Sequence, residues 1–254
     1  MPDASVNLIV TSPPYADARK STYGGISPDR YVEWFLPRAT EFKRVLHPRG
    51  TFILNIKERV VDGERHTYVL DIIKALRDQG WLWTEDWIWA KKNSTPGKWP
   101  NRFRDEWEHV LQFNVRRDFA MYQDDVRVPA KDSTVARVQR LNANDLIRLE
   151  SDTQSGFGKR MACMVGRETV YPSNVLHMAT ECGNVGHPAA FPESLPDFFI
   201  RLFTKPGDLV LDPFAGSGTT LMVAQRLGRD YVGVELNSEY IPIIEKRLGI
   251  SSAA

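Results

Sequence analysis

The sequence is poor in cysteine: Cys163 and Cys182 are the only two among 254 residues. Two thiols cannot build a disulfide framework or a four-cysteine zinc site, and they are typical of a reducing compartment. No apolar run approaches the ~18 residues that a membrane-spanning helix needs, and the first residues lack the basic-then-apolar pattern of a secretory signal. We therefore expect a cytoplasmic protein that does not associate with a membrane.

The sequence also has almost no net charge, because 33 lysines and arginines oppose 32 aspartates and glutamates. This balance favours neither an acidic nor a basic partner, so any basic binding face has to be local. The scattered His66, His109 and His177 lack metal-ligand spacing and are predicted to be structural. An apolar fraction of 42% is enough for a folded core, and the length fits one α/β domain with a small insertion.

Short apolar runs alternate with amphipathic stretches along most of the chain. Residues 6–10 and 209–211 are typical of buried strands, and the apolar positions from Leu195 to Phe203 recur at helical spacing. This alternation predicts a mostly parallel sheet with helices on both faces. Pro37 predicts a kink or break in an earlier helix. Between residues 115 and 186 the periodicity weakens and basic residues collect, which predicts an insertion outside the main sheet.

A glycine-containing turn follows a predicted strand near the C-terminus. Gly216 and Gly218 allow positive φ and a close approach of a ligand to the backbone. The third position of the dinucleotide pattern G-x-G-x-x-G is Leu221, and no lysine follows as in a phosphate-binding loop. Asp212 opens the turn and favours a ligand with a cationic amino-acid end, while Glu235, about twenty residues further on, suits ribose hydroxyls. Helix capping by the two carboxylates is the structural alternative. As a binding site, the pattern predicts a ribose-containing ligand without phosphate.

The segment Thr11-Ser12-Pro13-Pro14-Tyr15 directly follows the first predicted strand. Its two prolines fix φ and remove two backbone donors, so the loop is rigid and rich in carbonyl acceptors. By itself such a loop is most often an ordinary turn. An exocyclic amine can nevertheless donate to the Ser12 and Pro13 oxygens while its base stacks on Tyr15.

Residues 6–15 and 211–220 together resemble the two signature segments of DNA amino-methyltransferases, in the β-group order with the catalytic loop first. Residues 187–192 are similar to the family's segment before the cofactor loop, and residues 102–111 to the segment that closes the catalytic half. The resemblance covers nearly the whole chain outside residues 115–186. It implies a Rossmann-like S-adenosylmethionine-dependent methyltransferase fold of the α/β class, with a mixed seven-stranded sheet, helices on both faces and a small inserted target-recognition region.

The resemblance implies three parts and a role for each motif residue. The parts are a catalytic half (residues 1–114), a target-recognition insertion (residues 115–186) and a cofactor-binding half (residues 187–254). The residues implied in handling the target base are Ser12, Pro13, Pro14 and Tyr15. Those implied in binding S-adenosylmethionine are Thr11, His187, Phe191, Asp212, Pro213, Phe214, Ala215, Gly216, Ser217, Gly218, Thr219, Glu235 and Asn237.

The first residue of the catalytic tetrapeptide indicates the target base. In the family serine usually accompanies cytosine N4 and aspartate adenine N6, so Ser12 favours direct transfer to N4 of a flipped cytosine. Adenine N6 is the alternative, because either oxygen can accept a hydrogen bond from the amine. An RNA methyltransferase and a non-catalytic nucleic-acid-binding relative remain open. The non-catalytic alternative is supported only by the short segment before residue 6, where the family usually has a further strand and helix.

The implied partner is double-stranded DNA, with a cognate restriction endonuclease in a bacterial, archaeal or phage-infected cell. The chain is expected to act as a monomer or homodimer and to need no metal. Residues 83–89 alternate in tryptophan and are predicted to form a strand. Basic side chains after this strand and within the insertion are candidates for phosphate or base contacts. They are Lys91, Lys92, Lys98, Arg127, Arg137, Arg140, Lys159 and Arg160.

Overall fold

The computed structural model describes residues 1–18, 24–94, 97–130, 132–140, 167–181 and 191–250. The chain forms two compact units, one of Met1–Tyr122 with Ser173–Ala254 and one of Gln123–Pro172. The larger unit is built on a seven-stranded sheet, and the smaller unit contains a two-stranded ladder.

The described strands, in chain order, are β1 (Val6–Thr11), β2 (Leu46–Ile56), β3 (Val60–Val61), β4 (Glu64–Arg65), β5 (Leu82–Lys91), β6 (Lys98–Trp99), β7 (Arg102–Phe103), β8 (Trp107–Asn114), β9 (Val128–Pro129), β10 (Thr169–Val170), β11 (Val175–Met178), β12 (Leu209–Asp212) and β13 (Asp230–Gly233). The main sheet has the order β11-β5-β8-β2-β1-β12-β13. Strand β8 is antiparallel to both its neighbours, and all other pairs are parallel. The predicted mixed seven-stranded sheet is therefore confirmed.

The described helices are α1 (Pro28–Val45), α2 (Tyr68–Asp78), α3 (Asp132–Gln139), α4 (Ser194–Phe203), α5 (Thr219–Arg226) and α6 (Ile241–Leu248), with 3-10 turns at Gln123–Val126 and Ser238–Tyr240. Helix α1 begins at a proline, where the missing N–H is harmless. It continues past Pro37, so the predicted break does not occur. Among the described residues, none of the helices combines the length and apolar character that a bilayer crossing demands.

One face of the main sheet is covered by α1 and α2. Tyr31 and Phe35 of α1 and Tyr68 of α2 are fully buried in one core with Phe52 and Phe113 of the sheet. The rings of Phe52 and Phe113 stack with centroids 5.9 Å apart, and those of Tyr31 and Tyr68 lie 4.8 Å apart. These large apolar contacts fix both helices on this face.

The opposite face is covered by α4. Trp87 of β5 makes edge contacts with Phe198 and Phe199 at centroid distances of 5.5 and 5.7 Å. Its indole Nε1 donates to Gln112 Oε1 of β8 at 3.1 Å. Because Gln112 and Phe113 are neighbours on one strand, their side chains point to opposite faces. The sheet is thus enclosed on both sides, as the alternation of strands and helices predicts.

Strand β11 extends the main sheet beyond β5. It pairs in parallel with β5, and Trp89 Nε1 donates to the Met178 carbonyl oxygen at 3.1 Å. Its four residues lie within the predicted insertion, residues 115–186, so the predicted position outside the main sheet is wrong for them. Leu176 is the one fully buried side chain of this strand, and so short an element carries little periodicity for a sequence prediction.

In the smaller unit, Arg127 holds the β9–β10 ladder together. Its Nε donates to Thr169 Oγ1 at 2.9 Å, its Nη2 to the Thr169 carbonyl oxygen at 2.8 Å, and its Nη1 lies 3.2 Å from Asp124. The guanidinium also lies 4.4 Å from the centre of the Tyr171 ring. These contacts occupy the guanidinium within its own unit, and its contact with DNA stays a prediction.

Gly233 at the end of β13 provides the space into which α5 packs. A Cβ atom there would overlap Leu221 Cδ1 and lie 3.2 Å from Ala215 Cβ, and both residues are buried. We predict that Gly233→Ala lowers the free energy of unfolding by about 1–3 kcal/mol, the usual cost of overpacking, as measured by urea denaturation. Gly97→Ala is the matched control, because its added Cβ would lie at ordinary contact distance from Arg104, 3.6 Å from Cδ and 3.9 Å from Cβ. Equal losses in the two variants would contradict the packing explanation.

Candidate active site

The carboxyl ends of the parallel strands meet at one edge of the main sheet, and antiparallel β8 begins there. Ligands of open α/β sheets bind at this edge. Polar residues occupy it continuously from β5 to β13. In spatial order they are Lys91, Glu108, Asn55, the loop Ser12–Tyr15, Asp212 and Glu235.

A hydrogen bond between two buried side chains joins the ends of β1 and β12. Thr11 Oγ1 donates to Asp212 Oδ1 at 2.6 Å. Thr220 Oγ1 donates to Asp212 Oδ2 at 2.7 Å, and the backbone N–H of Phe214, just past Pro213, donates to Oδ1 at 3.1 Å. Asp212 is only 1% exposed. It therefore shapes the glycine-containing turn from inside, whereas the sequence pattern favours a direct contact with a cationic ligand group.

Burial raises the pKa of the Asp212 carboxyl from its ordinary value of 3.8 to about 6. The cause is desolvation of the carboxylate, to which the nearby negative charge of Glu235 adds. Hydrogen bonds from Thr11, Thr220 and the Phe214 N–H act in the opposite direction. An ionised carboxylate in this position is thus energetically costly, which is typical of functional sites.

The Glu235 carboxylate closes the turn from the adjacent strand end. The Gly216 N–H donates to Glu235 Oε2 at 2.7 Å, and the Asn237 N–H donates to Oε1 at 2.8 Å. Gly216 and Gly218 adopt φ values of 53° and 79°, the left-handed conformation that the sequence predicts for this turn. Glu235 is half-buried, and each of its oxygens can accept a further hydrogen bond. These acceptors suit the hydroxyls of a ribose.

Arg247 of α6 stabilises the turn, and it is not among the predicted site residues. Its Nη1 donates to the carbonyl oxygen and to Oγ of Ser217, at 3.1 and 3.2 Å, and to Thr219 Oγ1 at 3.1 Å. Ser217 and Thr219, which are predicted to line the cofactor, are both buried. Their hydroxyls accept hydrogen bonds from the Arg247 guanidinium and so help to fix the turn. A lone arginine in a C-terminal helix belongs to no motif that sequence reasoning can use.

The remaining residues predicted to line the cofactor differ in their surroundings. Phe214 is half-buried and its ring centroid lies 5.8 Å from that of Trp34 in α1. Phe191, just before α4, is 9% exposed. Ala215 is buried in a small core with α5 and α6. The predicted cofactor contact His187 lies outside the described residues.

The catalytic loop is fixed from several directions. Pro13 is buried, and the hydroxyl of the fully buried Tyr31 donates to the Pro14 carbonyl oxygen at 2.6 Å. Arg59 Nη1 donates to the Ala16 carbonyl oxygen at 3.2 Å. The loop is therefore held as rigidly as its two prolines predict.

Tyr15 ends the loop with its hydroxyl among polar groups. The hydroxyl donates to Glu108 Oε2 at 2.6 Å and lies 3.2 Å from Asn55 Oδ1, and Ser12 Oγ donates to it at 3.3 Å. Burial raises the pKa of Tyr15 well above its ordinary value of 10.0, and the negative charge of Glu108 raises it further. The Tyr15 hydroxyl therefore keeps its proton throughout the physiological pH range.

Glu108 is a buried carboxylate that the sequence prediction missed. It is 6% exposed, and its Oε1 accepts from Lys91 Nζ at 2.6 Å. Asn55 Nδ2 donates to its Oε2 at 3.2 Å. The available signal is a carboxylate within a strand that is buried over nearly its whole length, because buried charges are almost always paired. Lys91 is predicted to contact DNA, but the structure commits its ammonium to Glu108.

Three of the other predicted DNA contacts are exposed, namely Lys92, Lys98 and Arg140. The side chain of Arg137 and the whole of Lys159 and Arg160 lie outside the described residues.

Comparison with known proteins agrees with this geometry. A protein-family model described as DNA methylase matches residues 6–246. The type II methyltransferase M.PvuII of Proteus hauseri is 30% identical over 262 residues, which cover 94% of this chain and 77% of the relative. M.Cfr9I of Citrobacter freundii is 31% identical over 284 residues, which cover 98% and 83% of the two chains.

Solved structures give the same result. The PvuII DNA methyltransferase (cytosine-N4-specific) superposes with a TM-score of 0.73 at 26% identity, over 100% of this chain and 83% of that one. A Thermus thermophilus protein in complex with S-adenosyl-L-methionine superposes with a TM-score of 0.61 at 25% identity, over 98% and 87% of the two chains. The predicted fold class and the resemblance to β-group amino-methyltransferases are confirmed. Because the family model spans residues 6–246 of 254, the chain belongs to the DNA methylase family.

Proposed function

We propose that the chain transfers the methyl group of S-adenosylmethionine to the exocyclic N4 of cytosine in double-stranded DNA. The observation that carries this proposal is the 2.6 Å hydrogen bond between Thr11 and Asp212. It holds the Ser12–Tyr15 loop beside the turn of residues 212–218, and direct transfer needs two reactants in such fixed proximity. The similarity to the PvuII enzyme, whose name specifies cytosine N4, supports the choice of base.

The cofactor turn suits a ligand with a ribose and no phosphate. Glu235 offers carboxylate oxygens to the ribose hydroxyls, and Gly216 and Gly218 leave the backbone open to close approach. Asp212 fixes the shape of the turn from inside. When bound there, S-adenosylmethionine supplies an electrophilic methyl group, and the protein contributes position and electrostatics.

The catalytic loop would orient the target amine. Ser12 Oγ and the Pro13 carbonyl oxygen can each accept one amine N–H, which turns the nitrogen lone pair out of conjugation with the ring. A base inside a duplex cannot reach this loop, so the proposal includes extrusion of the target nucleotide from the helix. Energy for extrusion would come from contacts with the DNA backbone.

Recognition of the DNA sequence is assigned to the predicted insertion, residues 115–186. The exposed Lys92, Lys98 and Arg140 would contact phosphates. The proposal also includes a cognate restriction endonuclease, action in the cytoplasm, and a monomeric or homodimeric state. The type II names of the relatives support the first of these.

The product identifies the target base. We predict that incubation with S-adenosylmethionine and unmethylated mixed-sequence DNA yields N4-methylcytosine, identified by mass spectrometry of the nucleosides. N6-methyladenine would contradict the assignment to cytosine but keep the reaction class. Methylation of RNA alone, or of no base at all, would contradict the proposed function.

Ser12 is predicted to act on the amine and not on the cofactor. Ser12→Ala should lower the single-turnover rate of methyl transfer by ~100-fold, a typical cost of losing orientation. The dissociation constant of S-adenosylmethionine, measured by calorimetry, should stay within about twofold, since Ser12 lies outside the cofactor turn. Ser5→Ala is the control, because the exposed Ser5 hydroxyl donates to the nearby Pro2 carbonyl oxygen, outside both loops of the site. A parallel loss of cofactor affinity in Ser12→Ala would argue against this division of roles.

Asp212 is predicted to destabilise the folded chain when ionised. Its pKa of about 6 lies above the ordinary value of 3.8, so the folded state binds the proton more tightly than the unfolded state. The free energy of unfolding should therefore rise by up to ~3 kcal/mol as pH falls from above 6 to about 4. Asp212→Asn should lose this gain, as measured by urea denaturation at pH 8 and pH 4.5.

The exposed Asp230 at the start of β13 provides the control for this titration. Asp230→Asn should keep the pH dependence of the wild-type chain, since an exposed carboxylate loses little hydration on folding. The same pH dependence in Asp212→Asn as in the wild type would refute the assignment of the titration to Asp212.

A further inference from the structure

A continuous series of hydroxyl groups leads from the catalytic loop to a buried carboxylate. Ser12 Oγ donates to Tyr15 Oη at 3.3 Å, and Tyr15 Oη donates to Glu108 Oε2 at 2.6 Å. Asn55 Oδ1 also lies near Tyr15 Oη, but at 3.2 Å. The single hydroxyl proton of Tyr15 therefore lies on the shorter, charge-assisted bond to Glu108. The series begins at the side chain that would accept the target amine and ends on an anion.

The carboxylate at the end of this series is held in one orientation. Lys91 Nζ binds Oε1 at 2.6 Å, so Oε2 of Glu108 is directed to Tyr15. Asn55 Nδ2 donates to the same Oε2 at 3.2 Å and to the His109 carbonyl oxygen at 3.0 Å. Three different strands thus place one buried carboxylate behind the catalytic loop. Fold stability alone does not need such a pair, because a buried ion pair is seldom better than apolar packing.

We propose that Glu108 is the final acceptor of the proton that the target amine releases on methylation, and that this proton reaches it through Ser12 and Tyr15. This inference rests on the proposed methyl transfer to an exocyclic amine. It identifies an acceptor for the released proton, which the two sequence motifs by themselves do not indicate.

The proton transfer balances without any other reactant. The target nitrogen forms one N–C bond with its lone pair, the S–CH₃ bond breaks, and its electron pair stays on sulfur. The nitrogen then releases one proton to Ser12 Oγ, as the Ser12 proton moves to Tyr15 Oη and the Tyr15 proton to Glu108 Oε2. Each hydroxyl gains and loses one proton, so the neutral acid form of Glu108 is the only change in the protein. Glu108 later returns its proton to water.

The charged and titratable groups around Glu108 suit this role. Lys91 faces it from β5, Tyr15 from the loop after β1, and Tyr68 of α2 interacts with its charge. Burial raises the pKa of Tyr68 above its ordinary value of 10.0, and Tyr15 also keeps its proton. Lys91 therefore supplies the positive charge in direct contact with the carboxylate. Both tyrosines are neutral, and only Tyr15 lies between Glu108 and the catalytic serine.

Two variants interrupt the series at different atoms. Glu108→Gln keeps the size of the side chain but removes the proton acceptor, and Tyr15→Phe keeps the ring but removes the bridging hydroxyl. Each should lower the single-turnover rate at pH 7.5 by ~100-fold, within the usual range for general base catalysis. In both variants the remaining rate should rise with pH between 7 and 9, as hydroxide replaces the acceptor, while the wild-type rate stays level. Affinity for S-adenosylmethionine should stay within about twofold.

A measurement on the protein alone tests the connection between Glu108 and Tyr15. The negative charge and hydrogen bond of Glu108 raise the pKa of Tyr15, so Glu108→Gln should lower it. Carbon-13 NMR of ring-labelled tyrosine follows this titration, and Tyr15→Phe assigns the signal. Glu106→Gln is the matched control, because Glu106 is exposed and lies two residues from Glu108. It should change neither the rate nor the titration.

The outcomes separate this inference from the proposed function. Wild-type methylation of DNA together with rates within threefold of wild type in Glu108→Gln or Tyr15→Phe would overturn the proton path alone. Slow variants whose rates do not rise with pH would show a structural role and also overturn it. A wild-type chain that methylates no base would overturn both proposals. If Glu108→Gln does not fold, Tyr15→Phe decides, because it leaves the ion pair between Lys91 and Glu108 intact.

Discussion

The whole site depends on the hydrogen bond between Thr11 and Asp212, which joins residues 201 positions apart in the sequence. Strands β1 and β12 pair in parallel, with Ile9 opposite Leu211, so their carboxyl ends emerge side by side. This bond fixes the position of the loop after β1 relative to the loop after β12. A hydrogen bond to a buried carboxylate contributes about 1.5–3 kcal/mol, enough to keep both loops in place before any ligand arrives. Preorganisation of this kind is what direct group transfer requires.

The order of the strands separates the two tasks of the site. Glu235 and the glycine-containing turn lie at β12 and β13, whereas Glu108 and Lys91 lie on the other side of β1, at β8 and β5. The Ser12–Tyr15 loop lies between them: Thr11, just before the loop, contacts Asp212, and Tyr15 at its end contacts Glu108. Strand β8 makes this possible because it runs antiparallel to β2 and β5. Its first residues therefore lie beside the carboxyl ends of those two strands.

Sequence reasoning found the parts of the site that are local in the chain. Both loops follow buried strands and carry several constrained residues in a row, so each is recognisable without any partner. Arg247 acts through contacts with a residue 30 positions away, and no local pattern marks it. Glu108 lies in the segment of residues 102–111 that resembles the family, but its contact with Tyr15, 93 positions away, is visible only in the fold. The ion pair of Lys91 was missed for the same reason, since a lysine at a strand end is an ordinary surface residue until the fold places Glu108 beside it. Strand β11 was missed because four residues give too short a pattern.

The two buried carboxylates of the site are stabilised in different ways, and the difference matches their proposed roles. Glu108 faces a cation at 2.6 Å, so its negative charge is balanced within the protein. Asp212 has only neutral hydrogen-bond donors and lies near the charge of Glu235, which leaves its pKa at about 6. A cationic ligand near these two carboxylates would favour the ionised form of Asp212, because opposite charges lower the pKa of an acid. The negative charge of Asp212 and Glu235 therefore favours a positively charged cofactor.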